Sequence, residues 1–202
     1  MADFKLEAVK CKSCGSGLTV EINDYVTYCI SCGNGFEIIN GDLVPIEINF
    51  TAPVIPGEGD VVYKPFWYLK TTVEILERTS NKSSMKNLFG GSNSSTGDIT
   101  FYIPCFNCSL DSLKHLATDF TTKNPVASPQ KFSAKITGFA YGKKDAMKLA
   151  EFMLVSFEAE KSDMMKTFKY NINFNSCQIL GVPFYKLKDG RLKDAVLGIE
   201  VR

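Results

Sequence analysis

Two matched pairs of cysteines constrain this chain more than any other feature of its sequence. Cys11 and Cys14 lie in a C-x-x-C-G motif, and Cys29 and Cys32 lie in a second one, with fourteen residues between Cys14 and Cys29. Two residues between cysteines let the backbone bend so that both sulfurs point at one position, and the following glycine permits a positive φ. The spacing predicts a single tetrahedral metal site with four thiolate ligands.

The segments around the cysteines are typical of short strands. Leu18–Ile22 and Tyr25–Tyr28 flank an Asn-Asp turn, and Gly35–Ile39 supplies a third apolar segment. So small a unit buries little apolar area, so the metal must contribute most of its folding free energy, on the order of 10 kcal/mol. We expect a zinc ribbon, with iron in a rubredoxin-like site as the alternative.

Four protein thiolates close the coordination sphere, which predicts a structural rather than a catalytic metal. The first forty residues hold three lysines against five carboxylates, and four thiolates with one divalent ion would add about two further negative charges. Binding to phosphates depends on cationic side chains. The sequence therefore favours contact between this unit and another protein over contact with nucleic acid.

Composition and charge set the broad class of the protein. The chain has 202 residues, of which 45% are hydrophobic and 22% charged, and its net charge is +1. These values are ordinary for a globular protein and give no overall field that would attract nucleic acid. No apolar run approaches the ~18 residues of a membrane span, and the first residues carry charges that a secretory signal would lack. We expect a cytoplasmic protein, in which paired cysteines bind metals more often than they form disulfides.

The sequence after the cysteine motifs predicts an α+β domain. Alternation of apolar residues indicates strands at 61–75, 98–106, 131–141, 168–174, 179–188 and 195–201, and helical spacing indicates helices at 109–123 and 143–160. Clustered strands around two helices favour a mostly antiparallel sheet with both helices packed on one face. Two predicted strands begin with similar sequences, at Pro65-Phe66 and at Pro183-Phe184, and the sequence at Pro104 is more weakly similar. Either a degenerate internal repeat or chance recurrence explains this similarity.

Composition also predicts the domain boundaries. Residues 1–50 form the ribbon and one exit strand (43–50), residues 51–60 form a linker rich in proline and glycine, and residues 61–202 form the α+β domain. Within that domain, a stretch rich in serine, asparagine and glycine at about 79–97 predicts a mobile loop.

Two other groupings of residues have chemical potential. Cys105, Cys108, His115 and Cys177 would make a second metal site if the fold brought them together, and Cys108 would be redox-active if the adjacent helix start lowered its pKa. Buried, inert cysteines are the simpler interpretation of the same residues. The aromatic and lysine residues of 63–70 could stack on single-stranded bases, but their alternation indicates that half of them face a core.

Residues 11–33 resemble the zinc-ribbon class found in transcription factors, ribosomal proteins and assembly factors. The segments Y-K-P-F-W-Y-L-K at 63–70 and V-P-F-Y-K-L-K-D-G-R-L-K-D-A-V-L-G at 182–198 are similar to those of uncharacterised prokaryotic proteins with an N-terminal ribbon before such a domain. That resemblance implies no activity. The sequence contains none of the common nucleophile or phosphate-binding motifs. We therefore expect a non-catalytic accessory subunit that binds another protein, with a nucleic-acid-binding module or a thiol-redox protein as alternatives.

Overall fold

The computed structural model describes residues 9–20, 24–78, 95–125, 136, 138–159 and 167–201. Within these ranges the chain forms nine strands and two helices, with a small N-terminal sheet and a larger one. In chain order the elements are β1 (Val26–Tyr28), β2 (Gly35–Ile39), β3 (Asp42–Ile46), β4 (Ile48–Phe50), β5 (Asp60–Arg78), β6 (Thr96–Pro104), α1 (Leu110–Lys123), α2 (Lys143–Ala159), β7 (Phe168–Lys186), β8 (Leu192–Asp194) and β9 (Glu200–Val201).

The small sheet is antiparallel, with strand order β1-β2-β3. Asn40 and Gly41 form the β2–β3 turn with positive φ values of 52° and 86°, the conformation that Asn-Gly turns adopt. The strand expected at 18–22 is not present over its described part, because Leu18–Val20 lie outside any strand. Residues 21–23 lie outside the described part of the chain.

The larger sheet has strand order β6-β5-β7-β8-β9, and every pair along this path is antiparallel. Strand β4 joins it separately, pairing parallel with β7 at Ile179–Gly181. The predicted α+β class with mostly antiparallel strands is confirmed. The separate strands predicted at 168–174 and 179–188 are one continuous β7, interrupted by a bulge at Asn175.

The segment 43–50, expected to be a single strand leaving the N-terminal unit, divides between the two sheets. Residues up to Ile46 pair with β2, whereas Ile48–Phe50 pair with β7. Because β4 is held by the large sheet, the chain passes from one sheet to the other through a single residue, Glu47.

The prediction that both helices pack on one face of the sheet is wrong. Alternate residues of β5 point to opposite faces, and both faces carry fully buried aromatic side chains: Phe66 packs with α1, and Trp67 packs on the face that α2 covers. The sequence pattern suggested one apolar and one wetter face. Since the sheet is apolar on both sides of this region, each side needs a cover, and the two helices supply one each.

Each helix begins where its sequence predicts. Ser109 is the N-cap of α1 and its hydroxyl accepts the Ser112 N–H at 3.2 Å. Helix α1 also shields the edge strand β6, since the Thr121 hydroxyl accepts the outward Tyr102 N–H at 3.1 Å. Helix α2 extends through Ala159, and residue 160 is outside the described ranges.

The segment predicted to be a linker contacts the large sheet. The N–H groups of Val54 and Ile55 both donate to the Ala195 carbonyl at 2.8 Å, and the Tyr185 hydroxyl donates to the Ile55 carbonyl at 2.9 Å. The expected loop at about 79–97 falls outside the described residues, except for Ser95 and the start of β6 at Thr96. The strand predicted at 131–141 also lies largely outside them; Ile136 forms one parallel bridge to Tyr63.

Candidate metal centre

The two cysteine motifs fold into two turns with nearly the same geometry. In the first, the Gly15 N–H donates to the Cys11 carbonyl at 2.9 Å, and in the second the Gly33 N–H donates to the Cys29 carbonyl at 2.8 Å. Gly15 and Gly33 have φ values of 75° and 74°, as predicted from the sequence. Only glycine adopts this conformation without strain, which is why a glycine follows each cysteine pair.

The two turns bring the four sulfurs together. The ligand atoms of Cys11, Cys14, Cys29 and Cys32 all lie within 4.8 Å of one another. Each turn contributes to both close contacts, since the Cys11–Cys32 and Cys14–Cys29 sulfurs are each 3.6 Å apart. A tetrahedron of sulfurs at about 2.3 Å from a metal has edges of about 3.8 Å. The arrangement fits one metal ion, whereas a disulfide would need sulfurs at about 2.05 Å.

Hydrogen bonds to the sulfurs favour their anionic form. The Ser13 N–H lies 3.4 Å from the Cys11 sulfur. Hydrogen bonds from the side chain and backbone N–H of Ser16 lower the pKa of Cys14 to about 6. A thiolate is the form that binds a metal, so these groups preorganise the site.

The thiol of Cys32 holds its proton much more tightly than that of Cys14. A hydrogen bond from the backbone N–H of Asn34 lowers the pKa of Cys32. Burial and the neighbouring thiols outweigh it and raise this pKa to about 12. Four thiolates this close repel one another, and a cation between them removes that repulsion. The chemistry of the cluster is therefore that of a cation site, since a metal lets all four sulfurs ionise together.

Several contacts fix this site against the rest of the molecule. The Tyr25 N–H donates to the Phe139 carbonyl at 3.4 Å, and the rings of Tyr28 and Phe50 pack edge-to-face with centroids 5.6 Å apart. A Glu37 carboxylate oxygen accepts the N–H of Lys143, the first residue of α2, at 3.2 Å. The carboxylate of β2 thus sits at the positive end of the helix dipole, where a negative charge is stabilising.

The second group of candidate ligands does not converge. Cys105 and Cys177 pack with the cluster under α2, Cys108 packs on the opposite face, and His115 is exposed on α1. Among the described residues, the four N-terminal cysteines are the one group of three or more potential ligands close enough to share an ion.

The C-x-x-C at 105–108 also lacks the properties of a redox pair. Cys105 is fully buried and its S–H donates to the Tyr141 carbonyl at 3.0 Å. Burial raises the pKa of Cys105 to about 12 and also raises the pKa of Cys108. High pKa values suppress the thiolate, so Cys105 behaves as a buried apolar side chain and Cys108 as a half-buried one.

Most aromatic side chains of the strand at 63–70 are packed in the cores rather than open for stacking on bases. Phe66, Trp67 and Leu69 are fully buried, and the Trp67 indole N–H donates to the Tyr141 carbonyl at 3.0 Å. Tyr63 is partly buried against Phe50. On the face that alternation assigned as wetter, Phe66 lies under α1, whereas Tyr68 is half-buried and Lys70 is exposed. Little aromatic surface of this strand is therefore left for stacking on bases.

Sequence reasoning missed Ser16 and Glu37, both of which support the site. Ser16 directly follows the first motif, so its position next to a thiol was readable from the sequence. Glu37 acts on a helix that starts more than one hundred residues later, and no local pattern carries that information.

No protein-family model matches this chain, and comparisons with curated proteins and with solved structures found no match. In the described residues, neither helix is long and apolar enough to cross a membrane.

Proposed function

We propose that this protein is a non-catalytic subunit in which a zinc ribbon, held by Cys11, Cys14, Cys29 and Cys32, forms a docking platform for another protein. The observation that carries this proposal is the closed cluster of four sulfurs fixed against α2. Four protein ligands leave no coordination position for water or substrate, which is typical of structural zinc. We prefer zinc over iron because two C-x-x-C motifs that close a four-cysteine sphere are typical of structural zinc sites.

The surface around the cluster supports protein contact rather than phosphate binding. Ile30, between the two cysteines of the second motif, is 55% exposed, and Ile39 and Val44 on the same unit are also more than 40% exposed. Apolar side chains held rigidly at the surface are typical of protein-binding sites. The shortage of lysines in this unit disfavours nucleic acid.

The test is affinity purification of the full chain, expressed at native level in its native source, alongside Ile30→Asp and the control Val54→Asp. Val54 is 72% exposed but lies outside the cysteine unit, so both variants place a charge on an exposed apolar position. We expect one protein to copurify in stoichiometric amount with wild type and Val54→Asp and to be lost with Ile30→Asp. Metal analysis should find one zinc per chain in all three.

Absence of a stoichiometric partner, or its retention by Ile30→Asp, would contradict the docking role. Iron in place of zinc would support the electron-transfer alternative. Binding of wild type to single- or double-stranded probes that weakens with salt would support the nucleic-acid alternative.

A further inference from the structure

Strand β7 has one long edge that no described strand occupies. Its other edge pairs with β5 along almost its whole length. On the open side, β4 covers Ile179–Gly181 and β8 covers Phe184–Lys186, so among the described residues Phe168–Gln178 have no strand beside them.

Every second residue of this stretch points its backbone groups away from the sheet. The Ile75 N–H donates to the Ser95 carbonyl at 2.7 Å, on the β6 side of β5, so Ile75 and its partner Tyr170 face away from each other. Ile172 and Phe174 lie on the same face as Tyr170, and residues two apart point their backbone groups to the same side. The N–H and C=O groups of these three residues therefore form an open hydrogen-bonding edge.

The side chains along this edge alternate strictly and carry little charge. Phe168, Tyr170, Ile172 and Phe174 are half-buried on the α2 face, and the residues between them are exposed. The one charged residue of the segment, Lys169, forms an ion pair with Glu77 at 2.6 Å. Natural edge strands are usually protected by charge, proline or a bulge, and here the bulge at Asn175 ends the regular stretch without interrupting it.

We propose that residues 168–174 of β7 pair antiparallel with the same residues of a second copy of this chain, about a two-fold axis at Asn171. In this register Phe168 lies opposite Phe174 and Tyr170 lies opposite Ile172, so apolar residues meet apolar ones and cover the half-exposed row. Each of these pairs exchanges both backbone hydrogen bonds.

The polar face is equally self-complementary. Lys169 lies opposite Asn173, and Asn171 lies opposite itself, so no like charges meet. A two-fold axis places the same strand on both sides of the interface, which makes one self-complementary segment sufficient. The inference does not depend on the metal site, since β7 carries none of the four cysteines.

Sedimentation velocity of the full chain over a dilution series tests the proposal, with Asn171→Lys as the variant. Its side chain would face the same lysine across the axis, at a non-hydrogen-bonded pair whose Cα atoms are about 4.5 Å apart. We expect a wild-type dimer and a dissociation constant raised about fivefold or more by Asn171→Lys.

Gln178→Lys is the matched control. The side chain of Asn171 donates to Glu74 and that of Gln178 donates to Glu47, so each new lysine lies beside a carboxylate. Residue 178, however, lies beyond the bulge and next to β4, outside the proposed interface. We expect this control to dimerise like wild type. Mixing Asn171→Lys with Asn171→Asp should restore association as a heterodimer, which general damage to the fold would not allow.

Hydrogen exchange on wild type gives a readout that needs no variant. The amides of Tyr170, Ile172 and Phe174 should lose protection on dilution, while the amide of Asn173, which points toward β5, stays protected. A monomer at every concentration, a dimer that Asn171→Lys leaves unchanged, or exchange that does not vary with concentration would overturn the proposal.

Discussion

At the scale of single residues, the metal centre depends on backbone conformation and on hydrogen bonds to sulfur. Gly15 and Gly33 supply positive φ, and Ser16 lowers the pKa of Cys14. The sequence indicated the positive φ of both glycines, because a glycine follows each cysteine pair in the C-x-x-C-G motif. It did not indicate that the four thiols would differ in acidity, since that depends on distances between sulfurs.

Gly15→Ala should weaken the site through backbone strain alone. No atom lies within 4 Å of the added methyl group, so the cost is the left-handed conformation, about 1–2 kcal/mol of folding free energy. Gly17→Ala is the control, because its surroundings are equally open and its φ is not positive. Chemical denaturation of the zinc-loaded protein measures both. Equal effects from the two variants would contradict this account.

The affinity for zinc should fall with decreasing pH and fall more steeply below about pH 6. Zinc displaces thiol protons, and with a pKa of about 6 the Cys14 thiol is mostly ionised above that pH and mostly protonated below it. Binding therefore displaces no proton from Cys14 well above pH 6 and displaces one well below it, which adds to the slope of affinity against pH. Ser16→Ala should move the break to higher pH. Measuring zinc affinity by chelator competition from pH 5 to pH 8 tests this prediction. If the slope changes at the same pH in wild type and Ser16→Ala, Ser16 does not have this role.

At the scale of secondary-structure elements, the arrangement of the helices is the main difference between expectation and structure. Helix α1 contributes Leu116 and Phe120 to one core, and α2 contributes Leu154 and Phe157 to the other. The boundaries of both helices followed from caps and periodicity. Their placement on opposite faces did not, because periodicity shows which side of a helix is apolar and not which sheet face it meets.

Leu116→Ala and Leu154→Ala should each destabilise the protein by about 2–4 kcal/mol, since both side chains are fully buried. The two residues belong to separate clusters on either side of the sheet, so their effects should add within about 0.5 kcal/mol in the double variant. Urea unfolding of wild type, the two single variants and the double variant gives the double-mutant cycle. A coupling energy above 1 kcal/mol would show that the two cores are not independent.

At the scale of the whole molecule, the cysteine unit and the large sheet are joined by contacts that connect the metal to α2. Glu37 holds the first turn of that helix, and Val26 of β1 is buried in the same core as Trp67. A metal held by the four cysteines would therefore stabilise more than the forty residues around them. Such an ion would contribute to the stability of the α2 face of the sheet.

After the site is loaded with zinc, removing the ion with a chelator should lower the melting temperature of the whole protein and increase hydrogen exchange in the first turn of α2. The last turn of α1, on the other face, should change less. Glu37→Gln removes the charge at the start of α2 and should cost about 0.5–1 kcal/mol with zinc bound, and less without it. Equal protection losses in both helices, or a Glu37→Gln effect that does not depend on metal, would contradict this coupling.

The sequence by itself determined the metal ligands that come together, the conformation of the glycines beside them, the helices and most of the strands. These are local properties, because spacing, caps and alternation act within a few residues. Tertiary structure alone decided that β4 leaves the N-terminal sheet for β7, that α1 and α2 cover opposite faces, and that Glu37 reaches Lys143. It also decided that one edge of β7 stays open within the described part of the chain. Such features depend on which distant segments pack together, and no window of the sequence contains both partners.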